Sequence, residues 1–198
     1  MSTGRLVVGI TGASGAIYAQ RFLMRAVEHW SEIYLIMSDQ AIQVASTELG
    51  VSLCREKFST VDWLGAEYSQ IHLLDSRNYF TPPASGSFRH DGMVIVPCSM
   101  GTAGRIANGV SDDLLSRSAD VCLKEKRPLV VVPREMPMHA IMLRNLATLA
   151  ETGATVIPAC PAWYQRPANL QELADTVVAR ILQSLGVEQT LMKEWMQD

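Results

Sequence analysis

The sequence contains no C-x-x-C pair and no cluster of histidines. Its cysteines (Cys54, Cys98, Cys122, Cys160) are far apart, as are His29, His72, His90 and His139. Neither set has the close ligand spacing of a zinc or iron–sulfur site, so a metal centre is not expected. The unpaired cysteines read as reduced core or site thiols, which suits the cytoplasm. A basic excess is also missing, because 17 lysines and arginines against 20 acids leave a formal net charge of −3. That balance gives no electrostatic footprint for nucleic acid or an anionic membrane. No apolar run approaches the roughly 18 residues that a membrane helix needs. The N-terminus has no basic region followed by an apolar segment and a cleavage site, so export is not expected. What remains is a chain of 198 residues, 48% hydrophobic and 19% charged. This composition suits a single soluble domain with a sizeable core.

The most informative stretch is at the start. Strand-like Leu6 to Thr11 leads into Gly12-Ala13-Ser14-Gly15-Ala16 and then a helical stretch from Ile17. Glycine allows a tight turn and close backbone approach, and a new helix exposes N–H groups without intrahelical partners. Together they make an anion site, most often for phosphate, and Ser14 adds a hydroxyl. An ordinary tight turn with an empty helix end is the plainer alternative. The glycines run G-x-x-G-x-x-G from Gly9 rather than G-x-G-x-x-G, which does not favour a nicotinamide dinucleotide.

Short apolar runs rich in β-branched residues recur at Leu6 to Thr11, Ile33 to Met37, Met93 to Val96, Leu129 to Val132 and Ala154 to Ile157. Helical segments separate them, so the chain reads as α/β, with a parallel sheet covered by helices on both faces. Residues 50 to 92 fit the alternation poorly and read as an elaboration of one domain spanning 1–198. The last helix is the clearest. Leu170, Leu173, Ala174, Val177, Val178, Ile181, Leu182 and Leu185 form one stripe, Asn169 is a candidate N-cap, and a tail follows to residue 198.

Prolines close three of the runs, at Pro97, Pro133 and Pro158, and each is followed by chemically rich sequence. These are Cys98-Ser99-Met100-Gly101-Thr102, Arg134-Glu135-Met136 and Ala159-Cys160-Pro161-Ala162-Trp163-Tyr164, while the second run gives way to Ser38. Ligands of open parallel sheets bind at the carboxyl ends of the strands. Singly, Ser38 and Ser99 could be helix caps, Arg134 and Glu135 a surface pair, and Tyr164 a core side chain. Collected at one edge, they suit a phosphorylated cofactor. The cations Arg117, Lys124, Arg134 and Arg180 exceed what one monophosphate uses, so either a second phosphorylated ligand binds or some are helix-surface charges. Glu48 and Glu135 are the carboxylates available for proton transfer.

In many segments the chain resembles the UbiX-type flavin prenyltransferases. They include Gly9 to Ala16, Met37-Ser38, Thr47-Glu48, Pro82 to Ser87, Val96 to Ser99, Ala119 to Glu125, Val132 to Glu135, Pro161 to Tyr164 and Val177 to Ile181. The resemblance implies a flavodoxin-like or Rossmann-like domain, assembled as a homododecamer. It also implies metal-independent transfer of a dimethylallyl group from dimethylallyl phosphate to N5 and C6 of reduced FMN, giving prenylated FMN for a UbiD-type decarboxylase. By the same resemblance, FMN is held by Gly12, Ala13, Ser14, Ser38, Ser99, Met100, Gly101, Thr102 and Arg134. Dimethylallyl phosphate is held by Arg117, Lys124, Glu135, Tyr164 and Arg180, and Ser14, Glu48, Lys124 and Glu135 serve catalysis. Breaking the allylic C–O bond leaves a carbocation and a phosphate dianion, and the Arg, Lys and Tyr set would stabilise the departing phosphate. Two departures from the family pattern are Tyr79, where Trp is usual, and Asp39, where Lys is common.

Other chemistries remain as alternatives. Asp39 after the second strand suits the ribose-binding acid of a nicotinamide enzyme, but no tyrosine has a lysine four residues later. A flavodoxin-like carrier would not need the surplus cations. A phosphopantothenoylcysteine-type decarboxylase would be expected to carry a histidine on the first helix, and Gly15 to Val27 has none. The Met-rich stretch Met136 to Met142 and Trp195 in the tail add apolar residues that suit either the domain's core or a homo-oligomer.

Overall fold

The computed structural model describes residues 4–193. Six strands, β1 (Arg5–Ile10), β2 (Glu32–Met37), β3 (Ile71–Leu74), β4 (Gly92–Cys98), β5 (Leu129–Pro133) and β6 (Thr155–Val156), pair in parallel in the order β3-β2-β1-β4-β5-β6. Between and after them run α1 (Ala16–Ala26), α2 (Asp39–Leu49), α3 (Thr60–Leu64), α4 (Met100–Ala107), α5 (Leu114–Lys124), α6 (Ala140–Glu151) and α7 (Leu170–Ser184).

Each strand sends alternate side chains to opposite faces, and in the central strands β1, β4 and β5 both faces are buried. Leu6, Val8, Ile10, Leu35 and Val94 pack beneath α1 and α7, with Ala41 of α2 and Trp63 of α3 at the margin. Val7, Ile36, Met93, Ile95 and Val131 pack beneath α4, α5 and α6. Two apolar faces explain why these strands read as unbroken hydrophobic runs rather than alternating ones. A bidentate ion pair ties α1 to α7, with Arg21 Nε and Nη2 reaching the Asp175 carboxylate at 2.8 and 2.6 Å. Asn169 caps α7 as the sequence predicts, accepting from the Glu172 N–H at 2.9 Å. Of the predicted stripe, Leu170 is exposed and Leu173 and Leu185 are half-buried, while the rest is buried.

The five expected strands are present, and β3 is an addition within the segment read as an elaboration. With β3 set aside, the order matches the five-stranded 2-1-3-4-5 of flavodoxin-like sheets; β3 extends the β2 edge into the 3-2-1-4-5-6 arrangement. Only Ile71 of its four residues is buried. A short edge strand covered on one side needs no apolar run, which is why the pattern missed it. Pro97 lies inside β4, Pro133 ends β5, and Pro158 follows β6 by two residues.

Candidate active site

The strand order reverses between β1 and β4, where the connections leave toward opposite faces of the sheet. At this switch point a cavity of about 390 Å³ is lined by Thr11, Gly12, Ser38, Gln40, Ser99, Gly101, Thr102 and Arg105. A second cavity of about 270 Å³ adjoins it, sharing Thr11, Ser38, Gln40, Thr102 and Arg105 and adding Asp39, Ser76, Arg77, Asp112, Asp113 and Leu115. The structure therefore gathers Gly12, Ser38, Ser99, Gly101 and Thr102 of the sequence-predicted set at one place. Ser38 and Ser99 are caps and lining residues at once. Ser38 Oγ accepts from the Ala41 N–H at 3.0 Å and Ser99 Oγ from the Thr102 N–H at 3.3 Å. Gly12 permits the close approach of α2, since a Cβ there would lie 2.5 Å from Gln40 Cβ. Met100 is buried in the core beneath α4 and does not line the cavity.

Thr11, Gln40 and Arg105 were not singled out as site residues by the sequence. Thr11 read as the last residue of a strand. Its buried hydroxyl donates to the Pro97 carbonyl at 2.8 Å and accepts from the Ser99 N–H at 2.7 Å. It thus pins the end of β1 to the turn that starts α4. Thr11→Val keeps the shape but leaves the Ser99 N–H without its partner, while the Pro97 carbonyl retains only the Thr11 N–H at 3.2 Å. A loss of about 1–3 kcal/mol is expected by denaturant titration, and an unchanged midpoint would show that the staple is dispensable. Arg105 had a legible signal, because it follows Thr102 at i+3 on the same face of α4.

The helix start after the first glycine turn is already filled. Gly15 adopts φ of +111°, a left-handed conformation that favours glycine, and so turns the chain sharply into α1. The Glu48 carboxylate, from the last turn of α2, accepts from the Gly15 N–H at 2.9 Å and the Ala16 N–H at 2.8 Å. Partial burial pushes the Glu48 pKa up. The Ser14 hydroxyl, these two N–H groups and the nearby Arg134 charge together outweigh it and hold the carboxyl below its ordinary range. The anion that the α1 N-terminus attracts is thus an internal carboxylate. Arg134 lies beside it, donating Nε to the Ser14 carbonyl at 3.0 Å. Ala13 is buried, Ser14 is exposed, and Glu135 accepts from the Met136 N–H at 3.1 Å.

The remaining cations lie elsewhere. Arg117 donates to the Ala84 carbonyl at 3.1 Å and pairs with Asp120 at 2.9 Å. Lys124 pairs with Glu125 at the end of α5. Arg180 is exposed and donates to Gln183 at 2.7 Å. It stands ten residues along α7 from Leu170, about 15 Å at the rise of an α-helix. Tyr164 is exposed in a short turn after β6. Tyr79 donates its hydroxyl to the Ser111 carbonyl at 3.0 Å, and Asp39 pairs with Arg55 at 3.1 Å and Arg77 at 3.6 Å. Cys98 lies buried behind the cavity, where burial pushes its thiol up to about 12, too high for a thiolate nucleophile. Among the described residues no group of three or more His, Cys, Asp or Glu is placed to hold a metal ion, and no helix is long and apolar enough to cross a membrane.

The profile of the Flavoprotein family matches residues 1–186. The chain belongs to this family. It is 43% identical over 190 residues to flavin prenyltransferase UbiX of Alkalihalophilus pseudofirmus, covering 96% of this chain and 95% of that protein. The crystal structure of AnUbiX (PadA1) with FMN and dimethylallyl pyrophosphate is 35% identical, with a TM-score of 0.84 and 98% of each chain covered. The dodecameric FMN-dependent UbiX-like decarboxylase from Escherichia coli O157:H7 is 36% identical, with a TM-score of 0.84, covering 98% of this chain and all of that one. The likeness of this flavoprotein to UbiX proteins therefore extends over nearly the whole chain, in sequence and in fold.

Proposed function

We propose that this flavoprotein is a flavin prenyltransferase that joins the dimethylallyl group of dimethylallyl phosphate to N5 and C6 of reduced FMN. The observation that carries the reading is the hydroxyl- and glycine-lined cavity at the β1–β4 switch point, in a chain matched end to end by a relative holding FMN and a dimethylallyl ester. The residues present fit FMN. The cavity joins the N-termini of α2 and α4, whose free N–H groups favour a phosphate, with the hydroxyls of Ser38, Ser99 and Thr102 and one arginine. Reduced FMN, when bound, supplies the electron-rich nitrogen and carbon that accept the prenyl group.

The protein's part is to hold the two phosphates apart and to manage protons. Gly12, Ser38, Ser99, Gly101 and Thr102 hold the flavin, with Ala13, Ser14, Met100 and Arg134 completing the set. Glu48 orients the Ser14 hydroxyl beside Arg134, and Glu135 stands next in the same loop as the second carboxylate. Arg117, Lys124, Tyr164 and Arg180 bind the prenyl phosphate and stabilise its departure. None of these four residues lines either switch-point cavity of its own chain, which supports a site completed by neighbouring copies. The dodecameric Escherichia coli relative supports the same assembly, as do exposed apolar side chains such as Phe80, Met136 and Ile141. Trp195, also expected to add such surface, lies outside the described residues. The protein is proposed to act in the cytoplasm, with a UbiD-type decarboxylase as the recipient of its product.

Anaerobic incubation with reduced FMN and dimethylallyl phosphate, followed by mass spectrometry of the flavin, tests the reaction. A gain of one prenyl unit is expected, and an unchanged flavin beside an active relative would leave the carrier alternative. The diphosphate ester in a parallel reaction determines which donor is used. Calorimetry should show FMN binding more tightly than FAD or NAD; a preference for NAD would overturn the cofactor assignment.

A further inference from the structure

We propose that Arg105 is a binding residue for the flavin phosphate, presented to the switch-point cavity by Asp112 and Asp113. This rests on the flavin reading above and adds a residue to it. Arg105 is the one cation among the residues lining the larger cavity. Its guanidinium is braced without being saturated. Nη2 reaches Thr102 Oγ1 at 3.2 Å and Asp113 at 3.3 Å, Nη1 reaches Asp112 at 3.3 Å, and Nε is buried with no hydrogen-bond partner. The Arg21–Asp175 pair, at 2.6 to 2.8 Å, shows how a fully committed arginine is held in the same molecule. The long contacts at Nη1 and Nη2 leave the Arg105 guanidinium with capacity for phosphate oxygens, which it binds with charge-assisted hydrogen bonds.

The other candidates for that countercharge do not line the cavity. The N-terminus of α1 holds the Glu48 carboxylate, and Arg134 donates to the Ser14 carbonyl next to it. The N-termini of α2 and α4 meet at the cavity, and Arg105 projects from one turn further along α4. Asp112 and Asp113 come from the start of α5, where Asp113 is also the N-cap, accepting from the Ser116 N–H at 2.7 Å. The arginine is therefore positioned by a rigid helix start rather than by a loop.

Titration calorimetry of wild type, Arg105→Ala and Arg105→Gln with FMN and with riboflavin separates the contact from a structural role, because riboflavin lacks only the phosphate. Arg105→Ala should weaken FMN at least about tenfold while riboflavin affinity stays within about twofold. Arg105→Gln keeps a polar side chain with an amide donor, though shorter, and loses the charge; it should show the same selective loss if the alanine variant does not fold. Equal weakening of both ligands, or unchanged FMN affinity, would overturn the assignment. Failure of the wild type to bind FMN would overturn the flavin reading itself, and is read directly from the first titration.

Discussion

The double replacement Ile141→Glu with Leu143→Glu should break the proposed homo-oligomer and slow the proposed prenyl transfer at least about a hundredfold, some 2.7 kcal/mol of barrier. Only Leu149 of the twelve residues of α6 is buried, while Ile141 and Leu143 are 62% and 53% exposed. A helix this apolar needs a partner for its outer face, and burying each such side chain contributes about 1.5–3 kcal/mol. A carboxylate there opposes burial strongly. The consequence for activity comes from the placement of Lys124 and Arg180. Helix α5 starts beside the cavity with Leu115 and ends at Lys124, about 13 Å further on at the helical rise. Neither Lys124 nor Arg180 lines either cavity. On the proposed reading these cations serve a neighbouring copy's site, so separated chains should bind flavin but lack them at the prenyl phosphate. Light scattering and the mass-spectrometric rate check both halves. A smaller species with wild-type rate would show that one chain holds a complete site. An unchanged mass would show that this face of α6 is not the interface.

Glu48→Gln should leave a folded, FMN-binding protein that prenylates flavin at least roughly tenfold more slowly. The carboxylate accepts from two N–H groups at the start of α1 and from Ser14. An amide can turn only one oxygen toward those donors, and its NH2 group meets others head-on. The stability loss at neutral pH should be about 1–2 kcal/mol, tempered because the side chain is partly exposed and screened by solvent. Its pH dependence has a fixed sign. The folded-state pKa of Glu48 is lowered, so its contribution is full above the unfolded carboxylate value and fades as pH falls through the folded value. The gap between wild type and variant should therefore close on acidification. Denaturant titrations at neutral and acid pH, with single-turnover rates at saturating donor, measure both effects. A wild-type rate in the variant would make Glu48 a structural anchor alone.

Part of this site is legible along the chain, because it is built from strand ends and helix starts. Ser38, Ser99 and Thr102 are where a β-branched run gives way to a hydroxyl and a helix, and that local transition places them at the carboxyl edge. Arg105 lies within the same local geometry at helical spacing from Thr102. The partners that define its role do not, since Asp112 and Asp113 belong to the next helix start. Strand β3 was missed for a related reason: its neighbour β2, rather than its own pattern, makes it a strand.

The sequence by itself determined the two-faced parallel sheet, since apolar runs of strand length alternating with amphipathic helices have few other ways to bury both faces. It also determined the caps at Asn169, Ser38 and Ser99, which depend only on residues within one turn. The tertiary structure alone decided which anion sits at the start of α1. A glycine turn and a helix N-terminus specify a positive site, but they do not specify its occupant. That occupant is Glu48, 33 residues beyond Gly15 and carried there by the return of α2 along the sheet. The fold likewise decided that Lys124 and Arg180 are not among the residues lining the cavities of their own chain. Helical periodicity fixes which face a residue occupies, while its distance from a site depends on how far the helix has run from the strand ends.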